Sequence, residues 1–245
     1  YRGTETFTQD NSARRPVSIV DRKVKILLVE NAPRWEYKFL QTAFLRDRRV
    51  EARFLLAGGD RRALSAGPPF LPAFPATRQE LFAYDLLILG DVPAAYIGPE
   101  RAGWVRDFVR EGGSLIVIAG RQNMPAAFHA GPLAEVLPVE FAPGRAVAND
   151  LERTHPYLPV LTRAGERSEM LSLAETPEEI ARAWQTLPGF HWMFPTSKLR
   201  PGATALLVHP RQKAGEQPAP VLASHYYGRG QVLFFATDET WRWRT

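Results

Sequence analysis

Three short runs of nearly unbroken apolar residues constrain the fold more than anything else in this chain. They are Ile26–Val29, Leu86–Leu89 and Leu115–Ala119, set within the predicted strands Val24–Glu30, Tyr84–Gly90 and Ser114–Ala119. Successive residues of a strand point to opposite faces, so a strand apolar at every position belongs in a sheet covered on both sides. Val50–Leu56, closed by Gly58-Gly59, reads as a further strand. Between the strands the period changes. Pro33 stands near the first position of a helix whose inward face is Trp35, Phe39, Leu40, Ala43 and Phe44. Gly98-Pro99-Glu100 opens another, with a cap, a first-turn proline and an acid at the positive end of the dipole. Its buried edge is Val105, Phe108 and Val109, and Gly112 stops it. Strands alternating with helices predict an α/β fold with a doubly wound, mostly parallel sheet.

The pattern loosens beyond the fourth strand. Asp60 to Arg78 reads as a loop rich in proline and glycine, and residues from about 138 to 200 as an irregular insertion. The insertion holds one clear helix, with a capping box from Thr176 to Glu179 and a face of Ile180, Ala183, Trp184 and Leu187. Thr204–His209, Val221–Tyr227 and Gln231–Thr237 are strand-like, and Gly228-Arg229-Gly230 signals a hairpin between the last two. Antiparallel strands therefore extend the sheet at its C-terminal end. Residues 1–22 read as a linker or the tail of a preceding domain, and residues 23–245 as the α/β domain itself. The chain opens on Tyr1 and stops inside Trp241-Arg242-Trp243-Arg244-Thr245, ends that read as those of a fragment.

Composition narrows the function classes. Net charge is +5, from 31 Lys+Arg against 26 Asp+Glu, but Arg14-Arg15, Arg48-Arg49 and Arg61-Arg62 are scattered rather than gathered into one stripe. A nucleic-acid reader needs a concentrated basic patch with aromatic platforms, so nucleic acid is not an expected partner. The chain has no cysteine, which removes disulfides, zinc–thiolate sites and thiol catalysis. His129, His155, His191, His209 and His225 show no metal-pair spacing, and neither a Walker loop nor a Gly-x-Ser-x-Gly elbow is present. No metal and no cofactor is expected. Ser224 and His225 are neighbours on a strand and point to opposite faces, so they do not form a nucleophile–base pair. The longest apolar runs are too short to cross a bilayer, so no direct membrane insertion is expected.

Three segments carry a resemblance. Val29-Glu30-Asn31-Ala32-Pro33-Arg34-Trp35-Glu36-Tyr37-Lys38-Phe39-Leu40 looks like the opening of amidotransferase-like domains in large bacterial membrane-anchored proteins, many with von Willebrand factor A modules. Tyr226 to Val232 and Thr237 to Arg244 are similar to that group's closing motifs. From Val24 onward the chain thus resembles the class I glutamine amidotransferase-like fold, a flavodoxin-like sheet. Its catalytic members carry Cys on the elbow after a central strand and a downstream His–Glu pair. Carried over by position, the elbow Cys falls at Ala119 or Gly120, and the His–Glu pair near Thr237-Asp238-Glu239, where no histidine stands. Neither Ala119 nor Gly120 can attack a carbonyl. The resemblance implies the fold and withholds the reaction, as in a pseudoenzyme.

Ligands of such sheets sit beyond the carboxyl ends of the strands. Glu30, Asn31, Asp91, Arg121, Gln122, Asn123 and Asp238 fall there, as a carboxylate-and-amide pocket for a small polar ligand or sugar, or as caps and partners for exposed backbone groups. Trp35 reads as the core anchor of its helix with Arg34 and Glu36 solvated, the alternative being a surface recognition patch. Trp241-Arg242-Trp243-Arg244 alternates like a strand or turn, with its indoles packing on a C-terminal continuation or stacking on a ligand. The expected role is a non-catalytic binding or assembly module of a larger, envelope-associated protein. It would be membrane-anchored through other parts of that protein, with its own parent domains or a partner protein as ligands. The alternative is a carboxylate-dependent hydrolase or carbohydrate-processing enzyme using Glu30, Asp91 or Asp238 as acid and base.

Overall fold

The computed structural model of the protein describes residues 22–59, 67–142 and 154–243. Almost all of the expected N-terminal tail, the pairs Arg14-Arg15 and Arg61-Arg62, and Arg244 lie outside the described residues. In chain order the strands are β1 (Val24–Glu30), β2 (Val50–Leu56), β3 (Leu86–Leu89), β4 (Ser114–Ile118), β5 (Val139–Glu140), β6 (Val160–Leu161), β7 (Lys198–Leu199), β8 (Thr204–Ala214), β9 (Gln217–Tyr227) and β10 (Gly230–Phe235). The helices are α1 (Trp35–Arg46), α2 (Arg78–Leu81), α3 (Ala94–Arg110), α4 (Pro132–Val136), α5 (Arg163–Glu166) and α6 (Pro177–Thr186).

Eight strands form one sheet in the order β2-β1-β3-β4-β10-β9-β8-β6. The first five in that order run parallel, and β9, β8 and β6 follow antiparallel. This is an α/β architecture with a large, mostly parallel sheet and antiparallel strands added at its C-terminal end. Register aligns the apolar runs side by side, with Leu28 beside Phe54 and Ile88, and Leu115 beside Leu87 and Val232. Alternate residues then feed two cores. Leu27, Val29, Leu87, Leu89 and Val117 pack with Val105, Phe108 and Val109 of α3. Ile26, Leu28, Ile88 and Ile118 pack with Tyr37 of α1 and Phe54 on the other face.

Local signals set most element ends. Gly98 adopts φ 73°, which only glycine takes easily, and separates an opening turn at Ala94 from the main run of α3 behind Pro99. The capping box of α6 forms as the sequence predicts, with Thr176 accepting from the Glu179 N–H and Glu179 from the Thr176 N–H. The hairpin at Gly228-Arg229 joins β9 to β10, with Tyr227 opposite Gly230. Other expectations need correcting. The third strand is shorter than Tyr84–Gly90. β8 runs on past the predicted His209 to Ala214, and β9 starts at Gln217 rather than Val221, so that the pair takes in Pro210, Pro218 and Pro220. Register shifts between Val208 and Lys213 take up the irregularity there. Pro33 lies outside α1, which begins at Trp35 after Arg34 as its N-cap.

The α1 face is also different. Trp35 is 57% exposed and Ala43 is exposed, while Glu36 and Tyr37 are the buried residues of the helix. Leu40 and Phe44 do pack on the core. The helix is rotated from the face that aromatic spacing predicts, because two polar side chains at its start are drawn inward.

Among the described residues no helix is long and apolar enough to cross a membrane. A close backbone approach tests the fold. A Cβ at Gly230 would lie 2.2 Å from the backbone oxygens of Gly113 and Val109, where α3 turns into β4. Gly230→Ala therefore forces these backbones apart and should cost about 2–3 kcal/mol, read as a lower midpoint in urea unfolding at unchanged m-value.

Candidate functional site

The carboxyl ends of β1, β3, β4 and β10 meet in one polar network. Glu30 closes β1 and is 2% exposed. One of its oxygens accepts the backbone N–H groups of Asn31 (2.9 Å) and Asp91 (2.7 Å). The other accepts Nε (3.0 Å) and Nη2 (2.6 Å) of Arg34. The guanidinium continues outward, its Nη1 donating to the Ala119 carbonyl (3.1 Å) and to Asp238 Oδ2 (2.7 Å). One arginine thereby joins the ends of β1, β4 and β10. Trp192 Nε1 donates to the remaining oxygen of Asp238 at 2.6 Å. The Arg121 guanidinium lies 4.6 Å from the centre of the Trp192 ring, a cation–π contact at the outer edge.

Asp91, just after β3, performs the equivalent task for β4. Its carboxylate accepts the backbone N–H groups of Gln122 (3.0 Å), Asn123 (2.6 Å) and Met124 (2.8 Å), and Asn123 Nδ2 donates back to the Asp91 carbonyl at 3.0 Å. Two glycines make room. A Cβ on Gly90 would lie 2.0 Å from Glu30 Oε2, and one on Gly120 would lie 2.1 Å from Asp91 Cγ. The carboxylate of each strand end thus rests over the exit glycine of the next strand. The position after β4 is filled by a neighbour's carboxylate. Ala119 itself is fully buried, its N–H bonded to the Phe235 carbonyl at 2.9 Å.

Electrostatics follow from this burial. Burial pushes the Glu30 carboxyl up from its ordinary value, against the pull of Arg34 and the two backbone N–H groups. Burial works equally against the Arg34 charge, but Glu30 and Asp238 outweigh it and hold the guanidinium charged above its ordinary range. Four N–H donors are aimed at the two Glu30 oxygens, the geometry of a charge-assisted pair with Arg34.

The predicted rim residues therefore separate. Glu30, Asp91, Asn123 and Asp238 share one network, and Arg121 borders it through Trp192. Asn31 and Gln122 contribute backbone N–H groups only, and the Gln122 side chain is exposed. Asn31 caps no helix, contrary to one of its two expected readings, because α1 starts four residues later. Glu36 is buried and Arg34 is half-buried with its guanidinium engaged inside, rather than solvated. Glu36 accepts from Thr240 Oγ1 and from the Trp241 N–H at 3.1 Å. Trp35 lies outside the core, stacked on Trp241 with ring centres 5.6 Å apart. Residues Thr240–Trp243 form a 3₁₀ turn, so the two indoles diverge. Trp241 goes to α1, and Trp243 stacks on Phe190 at 4.6 Å and meets Trp184 edge-on at 5.2 Å. Their packing partner is this chain's own body.

Arg34 and Trp192 were not singled out from sequence as members of this site. The signal for Arg34 was its place four residues after a strand-end carboxylate. Trp192 sits in the loosened stretch and offered none. The histidines disperse, with His225 Nε2 bonded to the Val136 carbonyl at 2.6 Å and the His191 ring 3.7 Å from Glu239.

Two outcomes follow from the network. Arg34→Met leaves the Glu30 carboxylate buried without its cation and should lower stability by about 3–5 kcal/mol, while adding Glu30→Gln recovers much of that loss in chemical unfolding. Glu36 provides the pH test. Burial raises its carboxyl above the ordinary 4.5, against Thr240 and the Trp241 N–H. Its contribution to stability is then full below about pH 4.5 and is lost as pH rises through the higher folded-state value. Glu36→Gln keeps an acceptor for the Trp241 N–H and cannot ionise. Melts from pH 4 to 7.5 should show a variant at least as stable as the parent at pH 7.5, with the difference shrinking toward pH 4.

By sequence the chain matches no family model and no curated protein. By structure it resembles Cytoplasmic Protein STM3548 from Salmonella typhimurium, with TM-score 0.55 and 17% identity over 88% of each chain. Cytoplasmic Protein STM1381 from Salmonella typhimurium LT2 is similar at TM-score 0.54, again with 17% identity over 88% of each chain. A β-galactosidase from Bacillus circulans sp. alkalophilus aligns over 90% of this chain but only 30% of its own, at 14% identity and TM-score 0.46. At these identities the first two likenesses speak to the fold alone, and the third carries no weight for function.

Proposed function

We propose that this chain is a non-catalytic binding or assembly module, built on a flavodoxin-like, class I amidotransferase-like frame, of a larger envelope-associated bacterial protein. The order β2-β1-β3-β4-β10 of its parallel strands supports the frame, since it is the flavodoxin order with β10 as the fifth strand. One observation carries the non-catalytic part. The elbow after β4 is occupied by the Asp91 carboxylate, which lies where any side chain on Gly120 would have to stand. Nucleophilic catalysis needs an exposed attacking atom with a base beside it.

The alternative, a carboxylate-dependent hydrolase or carbohydrate-processing enzyme, needs a carboxyl free to exchange a proton with substrate. Both oxygens of Glu30, Asp91 and Asp238 already accept hydrogen bonds from this chain, mostly from backbone N–H groups and Arg34. Groups so engaged bind strand ends together, which suits a rigid module better than a reacting centre.

The purified protein should release no ammonia from glutamine above buffer and should not cleave chromogenic glycosides. Ala119→Cys and Gly120→Cys should not confer glutaminase activity, and Gly120→Cys should destabilise the protein. Steady turnover abolished by Asp91→Asn or Asp238→Asn, with folding retained, would overturn the reading.

A further inference from the structure

At the opposite ends of β1 and β2 the described residues enclose an open cleft of about 490 Å³, lined by Lys25, Glu51, Arg53, Phe74, Pro75 and Tyr84 among others. That volume is in the range of small-molecule sites. Lys25 and Glu51 are register partners and Arg53 follows two residues on, so three charged side chains share one face of the sheet. Farther along the same face Leu27 and Leu55 enter the core with Phe74 and Leu81. The charged groups thus stand where the apolar face opens to solvent.

With Glu80 the lining holds two cations and two carboxylates, and they differ in which already have partners. Glu51 is taken by Arg53 at 3.0 Å, and the Glu80 carboxylate accepts the Ala76 N–H at 2.8 Å. Among the described residues the Lys25 ammonium has neither ion pair nor hydrogen bond, and the Tyr84 hydroxyl has no hydrogen bond. The Lys25 backbone is held on both sides, its N–H donating to Asp85 Oδ2 and its carbonyl accepting from the Asp85 N–H, each at 2.8 Å. This fixes the root of the lysine beside Tyr84. Burial pushes the Tyr84 hydroxyl up, with Arg53 pulling the other way, so it stays a neutral O–H donor at physiological pH.

One unpaired cation, one idle hydroxyl and a guanidinium with N–H groups to spare line the same cleft as an apolar wall. We propose that this cleft binds a carboxylate with an apolar body, Lys25, Tyr84 and Arg53 holding the carboxylate while Leu71, Phe74 and Pro75 pack against the body. A monoanion matches the one ammonium that has no partner. A phosphate dianion would set a second charge near Glu51 and Glu80. The carboxylate belongs to a free organic acid or to the C-terminus of a peptide. The site is independent of the strand-end network, so turnover or inertness at the rim leaves it untouched.

Nuclear magnetic resonance of the ¹⁵N-labelled protein distinguishes these. The probes are 3-phenylpropanoate, its neutral amide, N-acetyl-prolyl-phenylalanine and its C-terminal amide. Saturable shifts should centre on residues 25, 53, 71–76 and 84, with each acid binding about tenfold or more tighter than its amide. Tighter binding of the phenylpropanoate marks a free acid as the ligand, and tighter binding of the dipeptide marks a peptide terminus. Lys25→Met and Tyr84→Phe should each weaken the preferred acid about fivefold or more with the remaining spectrum unchanged. Should Lys25→Met fail to fold, Tyr84→Phe and the acid–amide comparison on the unaltered protein decide. Equal binding of acid and amide, shifts centred elsewhere, or no saturable shift with either acid would overturn the proposal.

Discussion

The contact between the Glu30 carboxylate and the Arg34 guanidinium is the one on which the strand-end architecture depends. A carboxylate this deeply buried is tolerable only with nearly every lone pair engaged. Glu30 meets that condition by drawing in the Asn31 and Asp91 N–H groups and by pulling Arg34 away from solvent. The same guanidinium must then satisfy its remaining donors inside, which fixes Ala119 and Asp238 against it. The position of β4 and β10 relative to β1 is therefore set partly by hydrogen-bond geometry and not by apolar packing alone.

This constraint also explains why α1 is turned from its aromatic face. Arg34 and Glu36 lie two positions apart at the start of the helix, and both have partners inside the protein. With them inward, Tyr37 is carried into the core and Trp35 is carried out. The exposed indole finds Phe39 and Trp241, with Lys38 4.9 Å from its centre. A hydrophobic preference is overridden by the larger cost of leaving buried charges and backbone groups without partners.

What the sequence disclosed follows the range of the interactions involved. Strand runs, the Thr176 cap, Gly98 and the hairpin glycine are local, and each lies where the sequence predicts within a few residues. The strand-end rule brought Glu30, Asp91 and Asp238 to one rim. What could not be read were partnerships between distant segments. Arg34 meets Asp238 at a separation of 204 positions, and Glu36 meets Thr240 at the same separation. Gly90 and Gly120 did carry a signal, since a glycine at a strand exit marks a close approach, but it names no partner. The full lengths of β8 and β9 were not read either, since their outer halves pair through register shifts that no local pattern marks.

The short 3₁₀ turn at Thr240–Trp243 has a consequence for how the molecule can be handled. Trp241 lies against α1 on one side of the sheet, and Trp243 is wedged by Trp184 and Phe190 on the other. Four residues thus work as a clasp hooked over both flanks, with Glu36 as its catch. Trimming the chain upstream of Thr240 would strip that catch of its donors and uncover aromatic surface on both flanks at once. The stable unit therefore extends past the last strand, at least as far as the clasp.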